Sequence, residues 1–324
     1  MLPTWLIGNT IQVGLLVILC IGFTFTYMIE KFPNFAHVSF AAVGTCITYA
    51  MVRLWGFNPY LAWPVTTLVG GLLGVTLFVI LVRPIRRHGT REITLTFAFF
   101  SVSQVIGAFI AMFSFWVFVT LKFSTQGFMV KSYDFVWQGV PGVMLTAPAT
   151  CAVLVLLMYI FLKRFRLGIA TRAVAEDEPL ASSLGVDTFK VHVVSWFIAG
   201  ALSGLAGGIV PLWRSTGVGF SDEFLISVMA GSVVGGLNSI TGAVVGGVAV
   251  SLTKSYLGSL FISVFGISAS GFEPILPILF IFVVLMIEPE GIMGFFGRPH
   301  APLETLRMRL RHAGELLDRA AHAV

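Results

Sequence analysis

The feature that most constrains this chain is a succession of apolar runs, several of them longer than the ~20 residues a helix needs to cross ~30 Å of hydrocarbon. They lie at about 6–27, 36–54, 59–82, 93–120, 143–162, 190–213, 222–236, 241–262 and 272–288. Turn or charge signals separate them, among them EKFPN, RLWGFNP, RPIRRHGTRE, RSTG and GGLNSITG. In lipid every backbone polar group must be satisfied within the structure, so the spans are expected to be helices. The alternating strands of a transmembrane barrel are absent. Only 11% of the 324 residues are charged, against about 25% in soluble domains, too few to coat a water-soluble fold of this size. The expected fold is all-α: a polytopic transmembrane helical bundle of about eight to ten spans.

Orientation follows from the basic residues, which concentrate on the cytoplasmic side. Arg83, Arg86, Arg87 and Arg91 mark one loop, and Lys163, Arg164, Arg166, Arg172 and Lys190 a second. Arg298, Arg307, Arg309, Arg311 and Arg319 mark the C-terminal segment. An even number of spans separates each from the next, as a common side requires. Three spans precede the first basic loop, which puts the N-terminus outside and the C-terminus in the cytoplasm. The formal charge of +5 then reflects loop bias and not nucleic-acid binding. The first twenty residues lack a basic n-region and read as a retained span. Cys20, Cys46 and Cys151 each lie in an apolar run without metal-ligand spacing.

Two runs are unusual. The one at 222–236 is short and ends in Gly235-Gly236, and the one at 36–54 follows Pro33 and carries Gly44. One or both are expected to be broken or re-entrant, the sequence pointer to a midplane site in transporters. Gly200, Gly204 and Gly208 recur every four residues, as do Gly231 with Gly235 and Gly242 with Gly246. Such spacing lets helices approach closely, either within one subunit or along a substrate path or second subunit. Residues 1–297 form the membrane part. In 298–324, Leu303, Leu306, Leu310, Ala313, Leu317 and Ala320 fall at 3-4 spacing beside arginines, which predicts an amphipathic cytoplasmic tail on the membrane lipid or a partner.

Enzyme chemistry is missing. The chain has no Gly-Lys pair and so no P-loop, and it contains neither H-E-x-x-H nor G-x-S-x-G. His37 and His192 sit near span ends without an Asp or Glu at ligand spacing. No metal, no cofactor and no catalytic residue is expected. No acidic residue falls mid-membrane, which disfavours a proton relay. The polarity within the spans is neutral (Asn9, Gln12, Thr24, Thr26, Ser101, Ser103, Gln104) and suits a neutral or zwitterionic solute.

Against this scarcity, residues 172–187, RAVAEDEPLASSLGVD, gather Glu176, Asp177, Glu178 and Asp187. Asp177 or Glu178 is placed to cap a short helix opening on Pro179, where a missing N–H costs nothing. Leu180, Ala181 and Leu184 share one face, Gly185 ends the helix, and Asp187 or Thr188 caps the next span. The pattern reads either as a helix built to be gripped or as a solvated loop.

Arg172-Ala173-Val174-Ala175-Glu176-Asp177, Leu184-Gly185-Val186-Asp187 and the small-residue run from Gly200 to Gly207 resemble the permease subunits of branched-chain amino-acid ABC importers. Asn34-Phe35-Ala36-His37, the stretch from Gly235 to Ala243, and Glu288 to Gly294 resemble three further signatures of that family. Together they cover about residues 28–295, and the chain is similar to the shorter of the two permease types. Val38 stands where the family carries Gly, Asn238 replaces another Gly, and two glutamates alter the last motif.

The resemblance implies an importer of branched-chain or other small neutral amino acids in a prokaryotic inner membrane, with residues 1–297 as its permease domain. It implies three kinds of partner: a homologous second permease, two ATP-binding subunits, and an extracytoplasmic solute-binding protein. The segment 163–190 would then couple to the ATPases. Leu180, Ala181 and Leu184 would be packing contacts, Glu176, Asp177 and Glu178 would meet basic groups, and Arg172 and Gly185 belong to the same coupling set. Asn34, Phe35, His37, Gly235, Gly236 and Asn238 are the candidate substrate path. The alternatives are a stand-alone secondary transporter or channel for a small neutral solute, or an ABC importer of urea or short amides.

Overall fold

A computed structural model describes residues 4–87, 92–122, 127–137, 139–217, 219–265, 275–288 and 291–293. The expected tail at 298–324 lies outside the described residues, as do His88, Arg91, Pro289, Glu290 and Gly294. The helices are α1 (Thr4–Glu30), α2 (His37–Tyr49), α3 (Pro59–Leu77), α4 (Arg83–Arg87), α5 (Glu92–Leu121), α6 (Gly142–Arg164) and α7 (Arg166–Glu176). They continue with α8 (Glu178–Ser183), α9 (Thr188–Ile209), α10 (Phe220–Gly235), α11 (Ile240–Phe265) and α12 (Ile275–Ile287). A two-residue hairpin, β1 (Val136–Trp137) and β2 (Val140–Pro141), precedes α6. The fold is the expected all-α polytopic bundle.

Among the described residues, seven stretches are long and apolar enough to cross a membrane. The other two expected spans are α10 and α12, of 16 and 13 residues. At 1.5 Å per residue their described residues reach about 24 and 20 Å. Of the runs expected to be interrupted, the first, α2, ends in a wide π-helical turn at Ala50–Leu54. A second π turn, Phe78–Val82, precedes Arg83-Pro84, where the proline cannot donate to the helical ladder.

Burial separates interior from perimeter. In the most apolar windows of α1 and α9, 78% of residues are buried, against 22% for α5 and α6. The former are wrapped by other helices, while the latter turn Phe97, Phe109, Met112, Phe115, Leu156 and Leu157 outward. Outward phenylalanines and leucines match a hydrocarbon solvent, which costs such side chains nothing.

The small-residue spacing packs helices within this chain. A Cβ at Gly200 would meet the Gly70 carbonyl, and one at Gly204 would meet the Thr66 carbonyl, so α3 lies backbone-to-backbone along α9. Gly235 of α10 meets Gly242 of α11 in the same way, and Gly246 meets Gly231. The neutral polar groups do likewise: Ser39 Oγ and Ser103 Oγ are 2.9 Å apart, and Thr45 Oγ1 donates to the Gly207 carbonyl at 3.1 Å.

Candidate functional site

The acidic segment folds as two short helices where the sequence suggested one. In α7 a face made of Gly168, Thr171, Val174 and Ala175 is buried. The chain then turns at Asp177, whose carboxylate accepts the Leu180 N–H at 2.9 Å and so caps α8, with Pro179 in its first turn. Gly185, at φ +88°, closes α8 in the left-handed region that glycine occupies freely. Asp187 caps α9 by accepting the Lys190 N–H at 3.1 Å. Its carboxyl is held below the ordinary range by the Lys190 side chain and N–H. Every local start and stop expected of this loop is formed.

Beneath α8 lies a cluster whose members are far apart in sequence. Glu30, at the end of α1, is 1% exposed. Its Oε1 accepts from His192 Nδ1 and from Trp196 Nε1, each at 2.7 Å. Its Oε2 pairs with Arg86 Nη2 at 2.7 Å, and Arg86 also donates to the Glu30 carbonyl at 2.9 Å. Glu178, the first residue of α8, faces the same two cations: Arg86 Nη1 at 3.3 Å and His192 Nε2 at 2.9 Å. Hydrogen bonding from His192 foremost, and the charge of Arg86 beside it, hold the Glu178 carboxyl below the ordinary range despite partial burial. Both ring nitrogens of His192 lie within hydrogen-bond distance of carboxyl oxygens, and the basic side chains of Arg86 and His192 face the two acidic ones of Glu30 and Glu178. Phe78 stacks on the imidazole at 5.5 Å, closing one face of the cluster.

The structure adds two contacts that the sequence reading did not contain. His192 has two acidic companions, 162 and 14 residues away, and neither separation is a spacing that a sequence scan reads as a motif. Glu178 meets basic groups of its own chain. The expected packing face also divides: Leu180 and Leu184 are exposed, but Ala181 is 3% exposed and turned into the core, because a six-residue helix has one side against α9. Glu176 and Arg172 of α7 are exposed. With Lys31, Met28, Ala175 and Asn238 they line a polar cavity of about 480 Å³.

The other candidate path residues do not converge on one cavity. Asn34 and His37 are 1% and 0% exposed. The Asn34 Oδ1 accepts the Ala36 N–H at 3.1 Å, turning the chain into α2. His37 Nε2 lies 3.1 Å from the Leu19 carbonyl of α1, and Ser203 of α9 donates to the His37 carbonyl at 2.6 Å. Phe35 is half-buried, edge-on to Phe100. Gly235 forms the close contact of α10 with α11. Gly236, at φ +103°, ends α10, and a Cβ on Gly291 would crowd its N–H at 2.7 Å. Only Asn238 opens to the polar cavity. A larger cavity of about 550 Å³, between α1, α6 and α11, is apolar apart from Asn9, Thr10 and the Tyr256 side chain.

One charged residue escaped the sequence reading. Lys254, inside α11, is 4% exposed, with its ammonium 3.9 Å from Glu223 and 5.8 Å from the Phe224 ring. Arg214 Nη2 donates to both Glu223 oxygens at 3.1 Å. The available signal was a single lysine in the middle of an apolar run, a position that membranes rarely tolerate without a partner.

Comparison with known proteins places this geometry. Residues 6–287 match the family model described as the permease component of branched-chain amino acid transport systems. A similar relative is a probable branched-chain amino acid transport permease protein, LivH, of Methanocaldococcus jannaschii. It is 32% identical over 288 residues, covering 89% of this chain and 91% of the relative. The high-affinity permease LivH of Escherichia coli K12 is 32% identical over 145 residues, 43% of each chain. Among solved structures, PsaBC from Streptococcus pneumoniae in complex with Fab shares the fold, with a TM-score of 0.54 at 16% identity over 88% of this chain and 92% of that one. The chain is a multi-pass membrane protein and belongs to the family of permease components of branched-chain amino acid transport systems.

Proposed function

We propose that this chain is the membrane-spanning permease subunit of an ATP-driven importer for branched-chain or other small neutral amino acids. A homologous second permease, two ATP-binding subunits and an extracytoplasmic solute-binding protein complete the machine. Segment 163–190 is the coupling element, on the cytoplasmic side, and the N-terminus lies outside. The observation that carries this reading is α8 itself: a capped helix that keeps Leu180 and Leu184 exposed, the latter at 76%, while its other side is tied to α1 and α9. An exposed leucine pair on a short helix, rigidly mounted below the spans, suits insertion into a cleft of another subunit. Family membership supports the transport class. Lys254 apart, the mostly neutral polarity along the spans supports an amino acid over an ion.

The test is reconstitution. Proteoliposomes holding the four-subunit complex should accumulate leucine when given ATP and the loaded binding protein, and this chain alone should neither hydrolyse ATP nor accumulate solute. Leu184→Asp should strip the ATPase subunits at unchanged membrane level, since an unpaired charge in a packed contact costs on the order of 2–5 kcal/mol. Uptake by the isolated chain under an ion gradient would instead establish a secondary transporter.

A further inference from the structure

We propose that Glu30, Arg86, His192 and Glu178 form a rigid link that makes α8 move together with α1 and α9, so that the quartet is a set of positioning residues for coupling. The inference rests on the permease reading above and names the parts through which that coupling would pass.

Three observations carry it. First, the four side chains close a ring: Glu30 to Arg86 at 2.7 Å, Arg86 to Glu178 at 3.3 Å, Glu178 to His192 at 2.9 Å and His192 to Glu30 at 2.7 Å. Each cation touches both anions, so α8 cannot shift relative to one of the two helices without breaking a contact to the other. Second, the ring is fixed where it matters. Glu30 is sealed from solvent: its Oε1 bonds Trp196 and His192, its Oε2 pairs with Arg86, which also donates to its carbonyl, and Phe78 covers His192. Breaking a buried, hydrogen-bonded charge contact leaves a charge uncompensated, which costs far more than losing an exposed pair. Third, beyond its neighbours α7 and α9, α8 has little else to hold it. It is six residues long, with Ala181 as its one buried side chain. A helix this short has no stiffness of its own to transmit a push.

The remaining charges nearby are accounted for. Asp177 caps α8, Asp187 pairs with Lys190 at 3.0 Å, and Arg83 lies over the Phe189 ring at 4.6 Å. None of these contacts ties α8 to α1.

The experiment uses the assembled complex with leucine, ATP and the binding protein, and reads leucine accumulated per ATP hydrolysed. Glu178→Ala removes the α8 corner of the ring at a half-exposed position and leaves Leu180 and Leu184 in place. We expect the ATPase subunits to stay bound while uptake per ATP falls by about tenfold, the factor that roughly 1.4 kcal/mol of lost contact gives. Glu178→Gln, which still accepts a hydrogen bond, should restore the ratio in part. An unchanged ratio in Glu178→Ala would overturn the proposal. So would loss of the ATPase subunits from that variant at normal membrane level, since Glu178 would then be a docking contact and not a link. The wild-type complex is the reference: ATP-driven uptake by it tests the permease reading, and only the variants test the link.

Discussion

Glu178 shows how one side chain joins chemistry that the sequence keeps apart. Its position at the start of α8 was legible, because Asp-Glu-Pro is a local helix opening and capping needs only neighbours. Its partners Arg86 and His192 were not legible, since they reach it only after the helices carrying them have packed. Sequence spacing carries no trace of a contact with Arg86 across 92 residues. The depressed carboxyl of Glu178 gives this contact a pH signature. A group whose folded pKa lies below its unfolded value stabilises the fold fully above the unfolded value, here 4.5, and loses that contribution as pH falls through the folded one. The difference in melting temperature between wild type and Glu178→Gln in detergent should be greatest near neutrality and close as the pH drops below 4.5. A difference that widens on acidification would contradict the ion pairing described here.

At the scale of elements, glycine spacing announced close approach without saying to what. The recurrence of Gly200, Gly204 and Gly208 was compatible with an internal helix pair, a substrate path or a second subunit. The structure resolves it because Gly70 and Thr66 of α3 present carbonyls at matching heights. Substitution therefore has a position-dependent cost. Gly200→Val would drive a branched side chain into the Gly70 backbone, which cannot retreat without separating α3 from α9. The expected loss is at the upper end of the roughly 1–3 kcal/mol typical of overpacking. Gly107→Val on α5 meets nothing within 4 Å and should leave stability almost unchanged. Size-exclusion profiles after a heat step, run on both variants in one detergent, make the comparison. The shortness of α10 was legible from Gly235-Gly236, whereas the π turns ending α2 and α3 were not, since an apolar run looks the same at either helical pitch.

For the whole molecule, the sequence argument that the basic loops share one side needed only charge counts, and the geometry supplies an independent reason for part of it. Arg86, following the third span, touches Glu178 in the segment after the fifth. Those two loops therefore lie at one end of the bundle whichever way it sits in the membrane. At the other end Asp134, between α5 and α6, accepts from Tyr60 at the start of α3 at 2.6 Å. Which end faces the cytoplasm is set by the lipid and the insertion machinery, and the proposed orientation, argued from the arginine bias, puts the α8 end there. Exposed positions at each end make the assignment measurable: Ser132 beside Asp134, and Ser182 on α8. In a background lacking Cys20, Cys46 and Cys151, a cysteine at 132 should react with an impermeant thiol reagent added to intact cells. A cysteine at 182 should react only after the membrane is opened. Reaction at 182 from outside would invert the molecule and place α8 beyond the reach of any cytoplasmic ATPase. The coupling role would then fail, while the bundle and its buried quartet would stand as described.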